Sequence, residues 1–85
     1  METRVAVMSI IVEAPDAAEP LNAILHDYGQ YIIGRMGIPY RERGVNIISV
    51  AIDAPQDTIS ALSGKLGKLP GVGVKTAFSK VGGPP

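Results

Sequence analysis

The sequence predicts an α+β fold built from two strand–helix–strand halves, with four antiparallel strands in one sheet and both helices on one of its faces. Two observations predict it. The first is an internal repeat with a period of about forty residues. Val5-Ala-Val-Met-Ser-Ile-Ile-Val-Glu-Ala-Pro15 lies over Val45-Asn-Ile-Ile-Ser-Val-Ala-Ile-Asp-Ala-Pro55, and Glu13 falls on Asp53. With one residue inserted after the prolines, Asp16, Leu21 and Leu25 fall on Asp57, Leu62 and Leu66. Two copies are too few for a solenoid and suit a fold of two similar halves. The second observation is that each copy passes from a β-branched apolar run to the i, i+3, i+4 spacing of a helix.

The elements follow in order. Arg4–Glu13 is β-branched and apolar and reads as strand β1. Asp16 is expected to cap helix α1, with Glu19 three residues on; a later start with Glu19 as the cap also accommodates Pro20. Leu21, Ile24, Leu25 and Tyr28 make one apolar stripe, and Gly29 is a natural stop. Tyr31–Tyr40 reads as strand β2, weakened by Gly34 and Gly37. Arg41-Glu42-Arg43-Gly44 is a hairpin turn with Gly supplying a positive φ. Val45–Asp53 reads as strand β3. Asp57 is expected to cap helix α2, whose stripe is Ile59, Leu62, Leu66 and Leu69. Leu69-Pro70-Gly71 is a turn and Val72–Ser79 is strand β4. Residues 1–80 then form a single domain, and 81–85 a flexible tail.

The order βαββαβ is the split βαβ, or ferredoxin-like, arrangement. Right-handed crossovers put both helices on one face and make β1 and β3 the central strands. Alternation divides each central strand in two. Ala6, Met8, Ile10 and Val12 share the helix-covered face with Asn46, Ile48, Val50 and Ile52. The opposite face carries Val5, Val7, Ser9 and Ile11 with Val45, Ile47, Ser49 and Ala51, and this fold has no further element to cover it. A contiguous exposed apolar patch marks an interaction surface. These eight residues are therefore the expected interface of a homo-oligomer, formed through the sheet face, through the β2 edge, or both.

Composition excludes several chemistries. The 85 residues are 46% hydrophobic and 19% charged, too apolar for a disordered chain. Eight Lys+Arg balance eight Asp+Glu, which argues against direct nucleic-acid binding. The open faces of β1 and β3 also lack the aromatics on which single-strand readers stack bases. With no cysteine and only His26, one chain offers no metal site; His26 is a ligand only if other subunits supply partners. No metal or other cofactor is expected. Gly71-Val-Gly-Val-Lys-Thr76 misses the spacing of a phosphate loop and reads as a turn entering β4. Gly64 and Gly67 read as close helix–sheet packing. Ser9 and Ser49 have no paired base, so no catalytic residue is expected. The apolar run of β1 is too short to span a bilayer and lacks a cleavage site, so the expected compartment is the cytoplasm, with no membrane partner. Arg35 stands out. It lies between two glycines in Gly34-Arg35-Met36-Gly37, where it suits a carboxylate, a phosphate or an interface.

Tyr28-Gly-Gln-Tyr-Ile-Ile-Gly-Arg-Met-Gly-Ile-Pro-Tyr-Arg-Glu-Arg-Gly-Val-Asn-Ile-Ile-Ser-Val50 resembles the iron-only hydrogenase system regulator family, as does Ala61-Leu-Ser-Gly-Lys-Leu-Gly-Lys-Leu-Pro-Gly-Val-Gly-Val-Lys-Thr-Ala77. The resemblance runs from about Arg4 to Lys80. It implies an ACT-like small domain that acts as a regulator, and it carries no catalytic residue. By analogy with ACT-type domains, a small-molecule effector would bind near the β1–α1 loop, at Glu13, Pro15 and Asp16, together with Gly34, Arg35, Met36 and Gly37. The expected protein is a non-enzymatic homo-oligomeric regulatory module. The alternative is a structural adaptor for hydrogenase-associated proteins, without a ligand.

Overall fold

Strict alternation of buried and exposed residues along β1 (Arg4–Val12) sets the layers of the molecule: Ala6, Met8, Ile10 and Val12 point into a core, and the residues between them do not. In the computed structural model, which describes residues 2–81, the elements run β1, α1 (Ala18–Asp27), β2 (Ile32–Tyr40), β3 (Val45–Ala54), α2 (Gln56–Gly67) and β4 (Val72–Phe78). All strand pairs are antiparallel, in the order β2-β3-β1-β4. The central strands are therefore β1 and β3, as the split βαβ order requires. The expected tail over 81–85 lies, apart from Val81, outside the described residues.

The core is one cluster. Met8 and Ile10 of β1 and Val50 and Ile52 of β3 meet Leu21 and Leu25 of α1 and Ile59, Leu62 and Leu66 of α2, all buried. Each of these side chains is worth about 1.5–3 kcal/mol when taken from water. The repeat-equivalent leucines, Leu21 with Leu62 and Leu25 with Leu66, do the same work in the two halves. Val72, Val74 and Phe78 of β4 pack against the edge of this cluster.

Both helix starts differ from the sequence expectation. Asp16 does not cap α1. It lies in a single 3-10 turn, Pro15–Ala17, which feeds directly into the helix, and Ala17 occupies the capping position without a side-chain bond. Pro20 sits in the first helical turn, where a missing N–H leaves no bond unmade. Asp57 does not cap α2 either. Pro55 takes that position with φ −58°, and its carbonyl accepts from the N–H groups of Thr58 and Ile59. Asp57 is left as a first-turn acid facing the positive end of the helix. At the other end, α1 stops at Asp27, and Gly29 opens a second 3-10 turn, Gly29–Tyr31, instead of serving as a left-handed stop. Gly64 and Gly67 are exposed, and nothing lies within 4 Å of where their side chains would begin, so close packing is not their role.

Two glycines are required by the backbone. Gly44 closes the β2–β3 connection at φ 67° after the turn Arg41–Arg43. Gly71 enters β4 at φ 77°, and a Cβ there would lie 2.6 Å from the Ala14 Cβ. The Gly71 carbonyl also accepts from the Glu13 N–H at 2.7 Å, tying the end of β1 to the start of β4. The segment Gly71–Thr76 is thus a turn and a strand.

Candidate site: an open sheet face and a cleft beside β2

Side chains of opposite parity from the core make the uncovered face of the sheet. Val5, Val7 and Ile11 of β1 and Ile47 of β3 are between 40% and 44% exposed, and Ser9 is exposed beside them. Val45, Ser49 and Ala51 are half-buried by their neighbours on the same face. Register extends the surface onto β2: Gly34 pairs with Ala51, Met36 with Ser49, Ile38 with Ile47 and Tyr40 with Val45. Met36, Ile38 and Tyr40 are 63%, 53% and 42% exposed. The apolar surface thus crosses three strands, wider than the two-strand patch legible in the sequence. Lys75, paired with Ser9, bounds it on β4.

Five of the seven residues singled out as a ligand site divide among three depressions. Arg35 and Gly37 belong to a cleft of about 250 Å³ on the helix side, between α1 and β2. Its walls are Val12, Ala18 and Leu21 on one side and Ile38, Pro39 and Ile48 on the other, with Asn22 and Asn46 as further polar groups. Pro15 lines an adjoining hollow of about 320 Å³ with Ala14, Pro39, Arg41 and Val45. Gly34 and Met36 line a shallow depression on the open face with Val7, Ser49 and Ala51, and Arg35 reaches its rim. Glu13 and Asp16 are exposed and line none of the three.

The glycines around Arg35 have separate causes. A register shift between Ile32 and Gly34 is a bulge, which leaves Ile33 63% exposed. Gly37 has open space where a side chain would stand, and that space is the cleft. Arg35 donates from its guanidinium to the Asn22 Oδ1 at 2.9 Å, across the mouth of the cleft. Asn22 and Asn46 carried no signal as single residues. Asn22 follows a stripe leucine on α1, and Asn46 is the polar position among the inward residues of β3. His26 is exposed on α1, and among the described residues no group of three or more His, Cys, Asp or Glu is placed to hold a metal ion. No described helix is long and apolar enough to cross a membrane.

Residues 4–76 match the family model TM1266-like, whose members are assigned as iron-only hydrogenase system regulators. The chain belongs to this family. The structure of the uncharacterized protein TM1266 from Thermotoga maritima is 40% identical in sequence, superposes with a TM-score of 0.89, and covers 93% of this chain and 100% of its own. More distant likenesses show the fold alone. The C-terminal domain of the MgtC protein from Mycobacterium tuberculosis is 14% identical with a TM-score of 0.72, covering 92% of this chain and 89% of that one. A formyltetrahydrofolate deformylase from Pseudomonas putida KT2440 is 11% identical with a TM-score of 0.62, covering 86% of this chain and 28% of that one. No curated protein matches the chain. This member of the TM1266-like family carries an open apolar sheet face and a small cleft beside β2.

Proposed function

We propose that this protein is a non-enzymatic, homo-oligomeric regulatory module of an iron-only hydrogenase system, which assembles through its open sheet face and responds to a small-molecule effector. The observation that carries this reading is the apolar face formed by Val5, Val7, Ile11, Met36, Ile38, Tyr40 and Ile47. An exposed apolar surface of this extent on so small a chain supports association. The internal repeat favours a second copy as the occupant. Val5, Val7 and Ser9 correspond to Val45, Ile47 and Ser49, so the face resembles itself when turned about the axis between β1 and β3. A self-similar patch suits the isologous contact of a two-fold assembly. The charges of matching parity, Glu13, Asp53 and Lys75, sit at strand ends and on an edge, giving an apolar centre with a polar rim.

Light scattering across a concentration series tests the assembly. A mass of twice 8.9 kDa or a higher multiple is expected, and a lone chain at high concentration overturns it. A thermal-shift screen with amino acids, nucleotides, organic acids and metal salts tests effector response. A ligand at 100 times its Kd adds about 2.7 kcal/mol of stability, which such a screen detects. An oligomer whose melting stays flat throughout, but which is captured by hydrogenase-associated proteins, would point to the adaptor role instead.

A further inference from the structure

The two halves of the molecule are an internal control on the cleft. Arg35, Gly37 and Pro39 of β2 pair with Val50, Ile48 and Asn46 of β3. The repeat equivalents of those three β3 residues, forty positions earlier in β1, are Ile10, Met8 and Ala6, and they pair with Val74, Thr76 and Phe78 of β4. The same three places are thus filled by Val, Thr and Phe in one half and by Arg, Gly and Pro in the other. The consequence is visible in the packing. Val74, Thr76 and Phe78 are half-buried and α2 lies against β4, whereas Arg35, Gly37 and Pro39 are exposed and α1 stands off β2. On the helices, Asn22 occupies the place of Ser63. A hollow of about 330 Å³ also lies in the equivalent place between α2 and β4, lined by Ile59, Ser60, Ser63, Gly64, Thr76 and Phe78, but no charged residue lines it, so what distinguishes the α1–β2 cleft is Arg35 with Asn22 and Asn46.

The lining states what would fill it. Arg35 is the one charged residue among the ten that line the cleft, and none is acidic. Its side-chain hydrogen-bond partner among the described residues is the neutral Asn22 Oδ1, which uses one of five guanidinium N–H groups. With its oxygen engaged by Arg35, the Asn22 amide presents its N–H groups as donors, and the Asn46 amide is a second source. The planar guanidinium fork matches a carboxylate. Ala18, Pro39 and Ile48 offer hydrocarbon, and a volume of about 250 Å³ is below that of drug-sized sites. No carboxylate is present to meet an ammonium group.

We propose that the cleft between α1 and β2 binds a small apolar monocarboxylate lacking an α-amino group, its carboxylate held by Arg35, Asn22 and Asn46 and its hydrocarbon part against Ala18, Pro39 and Ile48. This deepens the effector-binding reading by naming the ligand class and its site.

The test is an NMR titration of the isotope-labelled full chain with isocaproate, with leucine (the same skeleton carrying the α-amino group) and with the neutral amide of isocaproate, each to about 20 mM, which captures dissociation constants near 1 mM. Isocaproate is expected to shift the resonances of Asn22, Arg35, Gly37 and Asn46 in a saturable way. Leucine and the amide are each expected to bind at least about tenfold more weakly. Arg35→Gln, at an exposed position, is expected to weaken isocaproate by at least about tenfold while leaving resonances distant from β2 in place. No saturable shift at these four residues, equal binding of leucine or the amide, or undiminished binding by Arg35→Gln would overturn the proposal. The effector reading fails separately, through flat melting curves in the broader screen, and survives if another class of compound binds.

Discussion

Ser9 and Ser49 are direct cross-strand partners, and they are also equivalent positions of the internal repeat. The pseudo-two-fold axis of the molecule therefore passes between these two residues, through the middle of the β1–β3 pair. Val7 then pairs with Ala51 and Ile11 with Ile47, so the axis exchanges the two sides of the open face. Two serines at the centre of an apolar face are poor strand formers in a position that favours β-branched residues.

Joint replacement Ser9→Val and Ser49→Val is expected to raise stability by about 0.5–1 kcal/mol, through cross-strand packing and better strand propensity. Urea unfolding at a fixed protein concentration measures it. A lowered midpoint would mean that the hydroxyls make polar contacts across an assembly.

Ile47→Glu places a carboxylate in the apolar centre while leaving the chain's own core untouched, because Ile47 is 40% exposed and points away from the helices. The circular dichroism spectrum is expected to stay the same and self-association to weaken by roughly 100-fold or more. Sedimentation equilibrium reads the change. An unaltered association constant would remove the sheet face as the contact surface.

Gly71→Ala is expected to destabilise more than Gly44→Ala. Both glycines have positive φ, which costs a residue bearing a Cβ about 1–2 kcal/mol. Gly71 alone also has Ala14 within 2.6 Å of the new methyl group. Adding Ala14→Gly to Gly71→Ala should recover the steric part and leave the backbone part. Thermal or chemical denaturation of the three variants checks the ranking, and equal losses at the two glycines would contradict it.

Lys65 lies with its ammonium 5.1 Å from the centre of the Tyr28 ring. The nearby Tyr28 hydroxyl, through hydrogen-bonding and charge interactions, holds its pKa above the ordinary lysine value of 10.5; desolvation works against this and the Asp27 charge adds to it. A raised folded-state pKa contributes stability that is complete below the unfolded-state value and is lost as pH rises through the folded-state value. The contribution of this pair should therefore be full and independent of pH near neutrality and should be lost only in strongly alkaline solution. Tyr28→Phe keeps the ring and removes the hydroxyl, so the Lys65 titration midpoint followed by NMR is expected to fall. An unmoved midpoint would assign the shift to another cause.

Much of the architecture is local and so was readable in the chain itself. Alternation assigned the faces of β1 and β3, apolar spacing assigned Leu21, Leu25, Ile59, Leu62 and Leu66 to the core, and the repeat made the two central strands agree. Gly44 and Gly71 announce turns because both need a positive φ, whereas the close approach of Ala14 to Gly71 is tertiary. Arg35 and Gly37 were conspicuous for the same local reason, as a charge and a gap in an otherwise apolar strand. The helix starts were not legible, because Asp16 and Asp57 resemble caps in sequence, while the path of the chain leaving each strand decides whether a side chain can reach the first free N–H groups. The cleft belonged wholly to tertiary structure. Asn22 and Arg35 are separated by a turn and an element boundary, and their meeting depends on how far α1 stands from β2. That distance is set by the volumes of side chains packed between the layers. Valine, threonine and phenylalanine draw β4 against α2, whereas arginine, glycine and proline leave β2 apart from α1, a difference between halves that no single periodicity encodes.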